Sequence, residues 1–167
     1  MSRVRRSGTF AVAMLLGLAM VGLGAAPAAA AGCWGAACAG HDPVLYGCSV
    51  SSTTTQTGSI SGVQVVTVWN RYAANCNANW ARAQLTTAAI NAGYTMKVFA
   101  DTTVAPLQSM CFPGPSNTGQ STEACTGSYG GGSIVYTDMV DGTHWVIASA
   151  SIFSATGVPL LQVLAGQ

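Results

Sequence analysis

The sequence predicts an all-β fold, a small disulfide-stapled antiparallel sandwich or barrel that follows a cleaved signal peptide. Three observations carry this reading: a basic-then-apolar leader, six cysteines that all lie beyond it, and a succession of short β-type segments separated by turn residues.

The leader begins with Arg3, Arg5 and Arg6 and continues as an uncharged apolar run from Phe10 to Gly24. That run is shorter than the roughly 20 apolar residues a membrane-spanning helix needs. Gly17, Gly22 and Gly24 weaken it as a helix, and Pro27 with an alanine tract supplies A-x-A cleavage signals. Cleavage is expected after Ala31. The chain then divides into a signal peptide over 1–31 and one secreted β-rich domain over 32–167, with no stable membrane span after cleavage. An uncleaved anchor, lipidation of Cys33 and twin-arginine export through Arg5-Arg6 fit less well. Cys33 lacks a large aliphatic residue three positions before it, and Phe10 lies two positions too far along.

Without the leader the basic residues are Arg71, Arg82 and Lys97, against Asp42, Asp101, Glu123, Asp138 and Asp141. Three positive charges against five negative ones leave a net charge of minus two. No basic cluster exists to neutralise phosphates, so no nucleic acid is expected as a partner and anionic membrane is disfavoured. A protein with so few charges must solvate its surface with Ser, Thr, Asn, Gln and Gly.

Cys33, Cys38, Cys48, Cys76, Cys111 and Cys125 make an even set suited to an oxidising compartment. Six cysteines allow fifteen pairings. Proximity along the chain favours Cys33 with Cys38, Cys48 with Cys76, and Cys111 with Cys125, the last closing a loop over 111–125 that is rich in Pro, Gly, Ser and Asn. The rival reading of these cysteines is a zinc site, with His41 and His144 as extra ligands. It is disfavoured because there is no C-x-x-C knuckle and because exported thiols oxidise; no metal and no cofactor are expected.

Along the domain, residues 32–50 form a cysteine-rich N-terminal segment with turns at Pro43 and Gly47. A polar Ser/Thr run from Ser49 to Gly58 leads into a strand over Ile60 to Tyr72, with Val63, Val65, Thr67, Trp69 and Arg71 on one face and Val66 and Val68 on the other. Trp80 to Thr86 reads as a strand, although alanines there also suit a short helix. Tyr94–Phe99, Ile134–Thr137, His144–Ile152 and Leu160–Leu164 follow as further strands, with a glycine-rich loop over Gly127–Ser133.

Catalytic constellations are weak. Ser128, His144 and Asp138 or Asp141 are the nearest approach to a hydrolase triad, but Thr126 stands where a nucleophile elbow has glycine. Asp138 and Asp141 sit three apart, and Asp141-Gly142 reads first as a turn. Trp34, Trp69, Trp80 and Trp145, with Tyr46, Tyr72, Tyr94, Tyr129 and Tyr136, offer a softer alternative as a stacking platform for sugars. Trp69 and Trp80 are expected in the core, whereas Trp34 is expected to be exposed and is a candidate binding residue.

The block Cys33-Trp34-Gly35-Ala36-Ala37-Cys38-Ala39-Gly40-His41-Asp42-Pro43, followed by Gly47-Cys48, resembles the opening of a secreted bacterial family, domain of unknown function 2690, the YjfA-like proteins. Arg71-Tyr72, Cys76 and Ala78-Asn79-Trp80-Ala81-Arg82 resemble its second block, and Tyr136-Thr137-Asp138-Met139-Val140 its third. The loop between Cys111 and Cys125 departs from the pattern. The resemblance implies a secreted β-domain and no known activity, ligand or catalytic residue.

A bridge from Cys48 to Cys76 would clamp the N-terminal segment across the sheet beside Trp80, with Arg71 and Arg82 nearby. In a chain with so few charges, each arginine needs a specific partner. Asp42 or backbone carbonyls are the expected ones, with Arg71 or Arg82 pairing with Asp42 to lock the N-terminal segment, and Arg71 and Arg82 are the other candidate binding residues. The functional expectation is a non-enzymatic extracellular or cell-envelope binding or structural domain with an extracellular or cell-wall partner. A secreted hydrolase or carbohydrate-active module is the alternative, and a protease inhibitor presenting the loop around Met110 a lesser one.

Overall fold

The computed structural model describes residues 32–112 and 134–166. The leader over 1–31, the cleavage site, Cys125, Ser128 and the glycine-rich loop lie outside the described residues.

Among the described residues the strands form two antiparallel sheets packed as a sandwich, not a closed barrel. The first sheet holds β1 (Ser52–Ile60), β2 (Val63–Ala73) and β3 (Ala78–Leu85), and β3 also pairs with the two-residue strands β6 (Val135–Tyr136) and β7 (Val140–Asp141). In the second sheet, β5 (Ser109–Phe112), β4 (Thr95–Thr102), β8 (Val146–Phe153) and β9 (Pro159–Gly166) lie side by side in that order. A single helical turn, α1 (Thr87–Asn91), carries the chain from one sheet to the other. It is capped by the Thr86 side chain, which accepts a hydrogen bond from the Ala89 N–H.

Alternation decides which residues enter the core. In β8, Val146, Ala148, Ala150 and Ile152 point inward and are fully buried. Met96, Val98 and Ala100 of β4 and Val66, Val68, Ala81, Ala83 and Leu85 of the first sheet meet them. The many alanines let the sheets approach closely. Two asparagines share this interior: Asn70 Nδ2 donates to the Val146 carbonyl at 2.8 Å, and Asn79 Nδ2 donates to Asn70 Oδ1 at 2.9 Å.

The polar run after Ser49 is a strand and not a lead-in. Ser52–Ile60 pairs with β2 along its whole length, although its burial shows no alternation. Ser61 and Gly62, with φ of 51° and 80°, make the tight turn that joins the two strands. Ile60 therefore ends β1 instead of starting β2. Likewise, Ser109–Phe112 is a strand within the stretch expected to open a loop. His144 lies in the turn before β8.

The N-terminal segment forms a third layer over one end of the first sheet. Its Cys33–Cys38 bridge brackets a short 3-10 turn at Gly35–Cys38, and the Cys48–Cys76 bridge ties its far end to the β2–β3 turn. Beneath it Trp80, Met139, Ala73 and Ala78 are buried with Cys38 and Cys76. Cys111 is also disulfide-bonded; the expected partner, Cys125, is not among the described residues.

Candidate functional site

The site grows from two W-x-R triplets, Trp69-Asn70-Arg71 on β2 and Trp80-Ala81-Arg82 on β3. Residues two apart on a strand share a face, so each triplet points both of its large side chains the same way. Antiparallel register then sets Arg71 opposite Trp80 and Trp69 opposite Arg82, with Tyr136 of β6 beside Arg82. The outward face of the first sheet thus carries arginine and tryptophan in a checkerboard, extended across β1 by Thr53 and Thr55. Arg82 lies over the Trp69 ring at 5.2 Å, a cation–π contact that holds its guanidinium above the sheet.

Where the N-terminal segment crosses this face, a groove of about 390 Å³ opens. Arg71, Trp80, Arg82 and Tyr136 line it from the sheet, and Pro43, Val44, Cys48, Val50 and Ile134 supply apolar walls. Val44, at 72%, Val50 and Ile134 are exposed, whereas Pro43 is buried and Cys48 half-buried, so the aliphatic part of these walls is left open by the described residues. The Cys48–Cys76 clamp positions the wall that Cys48, Val44 and Val50 form. Asn75 reinforces it: its side chain accepts from Ser49 N–H at 3.0 Å and donates to the Gly47 carbonyl at 2.9 Å.

The expected partnership of Asp42 with an arginine is not made. Asp42 Oδ1 accepts from the Val44 and Leu45 amides at 2.7 and 3.2 Å, and Oδ2 accepts from the Tyr136 hydroxyl at 3.2 Å. Its position just before Pro43 makes it a turn-former for the N-terminal segment, and that local role satisfies it. Asp42 still locks the segment to the sheet, but through Tyr136. Burial, the Asp42 charge, the hydrogen bond to it and, least, the Asp138 charge all raise the Tyr136 pKa, so the phenol stays protonated as a donor.

Arg71 and Arg82 consequently converge without an acidic partner among the described residues. Arg71 Nε is buried with no hydrogen-bond acceptor among them. Burial and then the neighbouring Arg82 charge lower the Arg71 pKa. Both effects are relieved by an anion placed between the guanidiniums, which favours the charged form and fills the vacant donor.

No family model, curated protein or solved structure matches this chain.

The other sequence candidates fall elsewhere. Trp34 is exposed, at 61%, but is not among the residues lining the groove. Trp80 is buried as expected, whereas Trp69, also expected in the core, is only half-buried on the outward face beneath Arg82. Met110 is fully buried in β5, so it presents nothing to a protease. His41 stacks on Tyr46 with ring centroids 4.3 Å apart. His144 Nε2 lies 3.7 Å from Asp141 Oδ2, while Asp141 Oδ1 accepts from the Thr143 amide. Ser128, the third member of that triad, is outside the described residues.

The sequence singled out both arginines and named Tyr136 only among the aromatics offered for sugar stacking, and it assigned no role to Val44, Val50 or Ile134. The paired W-x-R spacing was the available signal for the shared face. The apolar walls had none, because they come together only where the clamp folds the N-terminal segment onto the sheet.

Proposed function

We propose that this chain is a secreted, non-enzymatic binding domain whose groove takes an anion with an apolar body, above all a carboxylate on an aliphatic or aromatic group. The observation that carries this reading is the pair of converging guanidiniums, one with a buried vacant donor, inside apolar walls. Arginine's fork suits a planar carboxylate. The Val44, Val50 and Ile134 walls favour hydrocarbon over a sugar ring. Disulfides and the absence, among the described residues, of a helix long and apolar enough to cross a membrane fit a non-cytoplasmic setting. The leader and the resemblance to YjfA-like proteins extend this to secretion and an extracellular or envelope partner. The hydrolase reading rests on the His144–Asp141 contact, which is longer than the hydrogen bond that orients a general base.

The test is NMR titration with 4-phenylbutyrate and, in parallel, its uncharged amide. The carboxylate should shift the Trp80 indole, Ile134 and Tyr136 signals, with affinity falling as salt rises. Arg71→Ala or Arg82→Ala should weaken binding about 10- to 100-fold, the range expected for a lost charge-assisted hydrogen bond. Equal binding of acid and amide, or unchanged binding when Arg71→Ala and Arg82→Ala are combined, would overturn the proposal.

A further inference from the structure

We propose that Cys33, Cys38, Cys48 and Cys76, once reduced, form a tetrathiolate site for one Zn²⁺. The two bridges they make lie against each other, and all four sulfurs fall within 4.8 Å of one another. In a tetrahedral zinc tetrathiolate the metal–sulfur bonds are about 2.3 Å, which sets neighbouring sulfurs roughly 3.8 Å apart. Breaking the bridges lets the bonded sulfurs separate to that spacing, and the remaining pairs need to close by no more than about an ångström. Two arguments from the sequence stand against zinc, the lack of a C-x-x-C knuckle and the oxidation of exported thiols. Folding removes the first, because the four ligands are gathered from the N-terminal segment and the β2–β3 turn; the second stands while the bridges are intact, so the site exists only in the reduced chain.

The gathering does not depend on the bridges alone. Gly35 N–H donates to the Cys76 carbonyl at 2.7 Å, Gly40 N–H donates to Met139 at 2.9 Å, and Asn75 binds both Gly47 and Ser49. These bonds hold the segment in place when the sulfurs are free. Cys38 and Cys76 are fully buried, whereas Cys33 and Cys48 are half-buried and give reductant and metal access. The tetrathiolate centre carries a net charge of minus two. Arg71 and Arg82 line the same groove as Cys48 and place positive charge beside it.

The chemistry balances with a dithiol reductant. Two dithiols each surrender two electrons and two protons and become disulfides; the two protein S–S bonds break and four thiols form. Zn²⁺ then makes four Zn–S bonds and displaces four protons to solvent, so binding strengthens as pH rises. The two disulfides formed from the reductant run the sequence backwards: they take back four electrons, with four protons from solvent, as both protein bridges reform and Zn²⁺ leaves.

The test uses the full chain carrying Cys111→Ser and Cys125→Ser, reduced without oxygen by a phosphine that does not compete for metal, and titrated with Co²⁺. The expected result is one equivalent of cobalt with the intense visible bands of tetrahedral thiolate coordination, displaced by one equivalent of Zn²⁺ and absent before reduction. Should the reduced chain lose its circular dichroism signal, recovery on adding Zn²⁺ supports the site and continued loss overturns it. Overturning results also include an octahedral cobalt spectrum, or an unchanged tetrahedral spectrum when Cys33→Ser and Cys48→Ser are added.

Discussion

Asp101 stands on the outward face of β4, half-buried, and accepts a hydrogen bond from the Ser109 hydroxyl across the strand pair. Burial raises its pKa, and the Ser109 bond offsets this only in part. A carboxyl whose folded pKa exceeds its unfolded one favours the fold in acid, and that contribution is lost as pH climbs through the raised value. Asn at this position keeps the acceptor and cannot ionise. Asp101→Asn should therefore melt alongside the parent well below the carboxylate range and above it at neutral pH, as read by thermal unfolding across that span. A melting difference that does not change with pH would rule out burial of the charge as the cause. Arg71 shows the same physics with the opposite sign, since burial and Arg82 both press it towards neutrality. The sequence marked Arg71 and Arg82 as residues needing partners because charges are so scarce. It misassigned the partner because Asp42 lies beside a turn whose amides claim one of its oxygens.

Among the elements, β1 was the least legible. A run of serine and threonine carries strand-favouring branched side chains but no apolar alternation, because most of β1 is exposed on both faces. Strands β2, β4, β8 and β9 were legible, since each meets the core with every second residue. The β1–β2 hairpin contains two glycines with different tasks. Gly62 has a positive φ and open space around it, whereas a Cβ on Gly58 would stand 2.3 Å from a Val163 methyl and 2.7 Å from Leu161 on β9. Gly62→Ala should cost about 1 kcal/mol, the penalty of a left-handed backbone. Gly58→Ala should cost more, about 2–3 kcal/mol, because it overpacks the seam where the edges of the two sheets meet. Urea unfolding midpoints would show the order, and equal costs would mean that the seam yields easily.

At the scale of the molecule, the two sheets hold a continuous core that contains neither of the two described bridges, while the N-terminal layer depends on Cys33–Cys38 and Cys48–Cys76. The sequence suggested the clamp beside Trp80, yet the groove itself was hidden because its walls are distant in the chain and meet only across that clamp. Restricting the unfolded chain over a separation of 28 residues is worth about 3.5 kcal/mol, against about 2 kcal/mol for a separation of 5. Replacing Cys48 and Cys76 together with alanine should therefore destabilise more than replacing Cys33 and Cys38. The two variants should differ more in binding. Losing Cys48–Cys76 leaves the wall that Cys48, Val44 and Val50 form held by the Asn75 hydrogen bonds to Gly47 and Ser49 without the covalent tie. These bonds keep the segment on the sheet but let the wall loosen, so 4-phenylbutyrate affinity should fall at least as far as in Arg82→Ala, while the strand amides keep their protection from hydrogen exchange. Losing Cys33–Cys38 leaves that wall tied to the β2–β3 turn, and affinity should change by less than about threefold. Equal binding losses in the two variants would mean that the N-terminal layer acts as one unit, and that the groove is shaped by the whole segment instead of by its clamp.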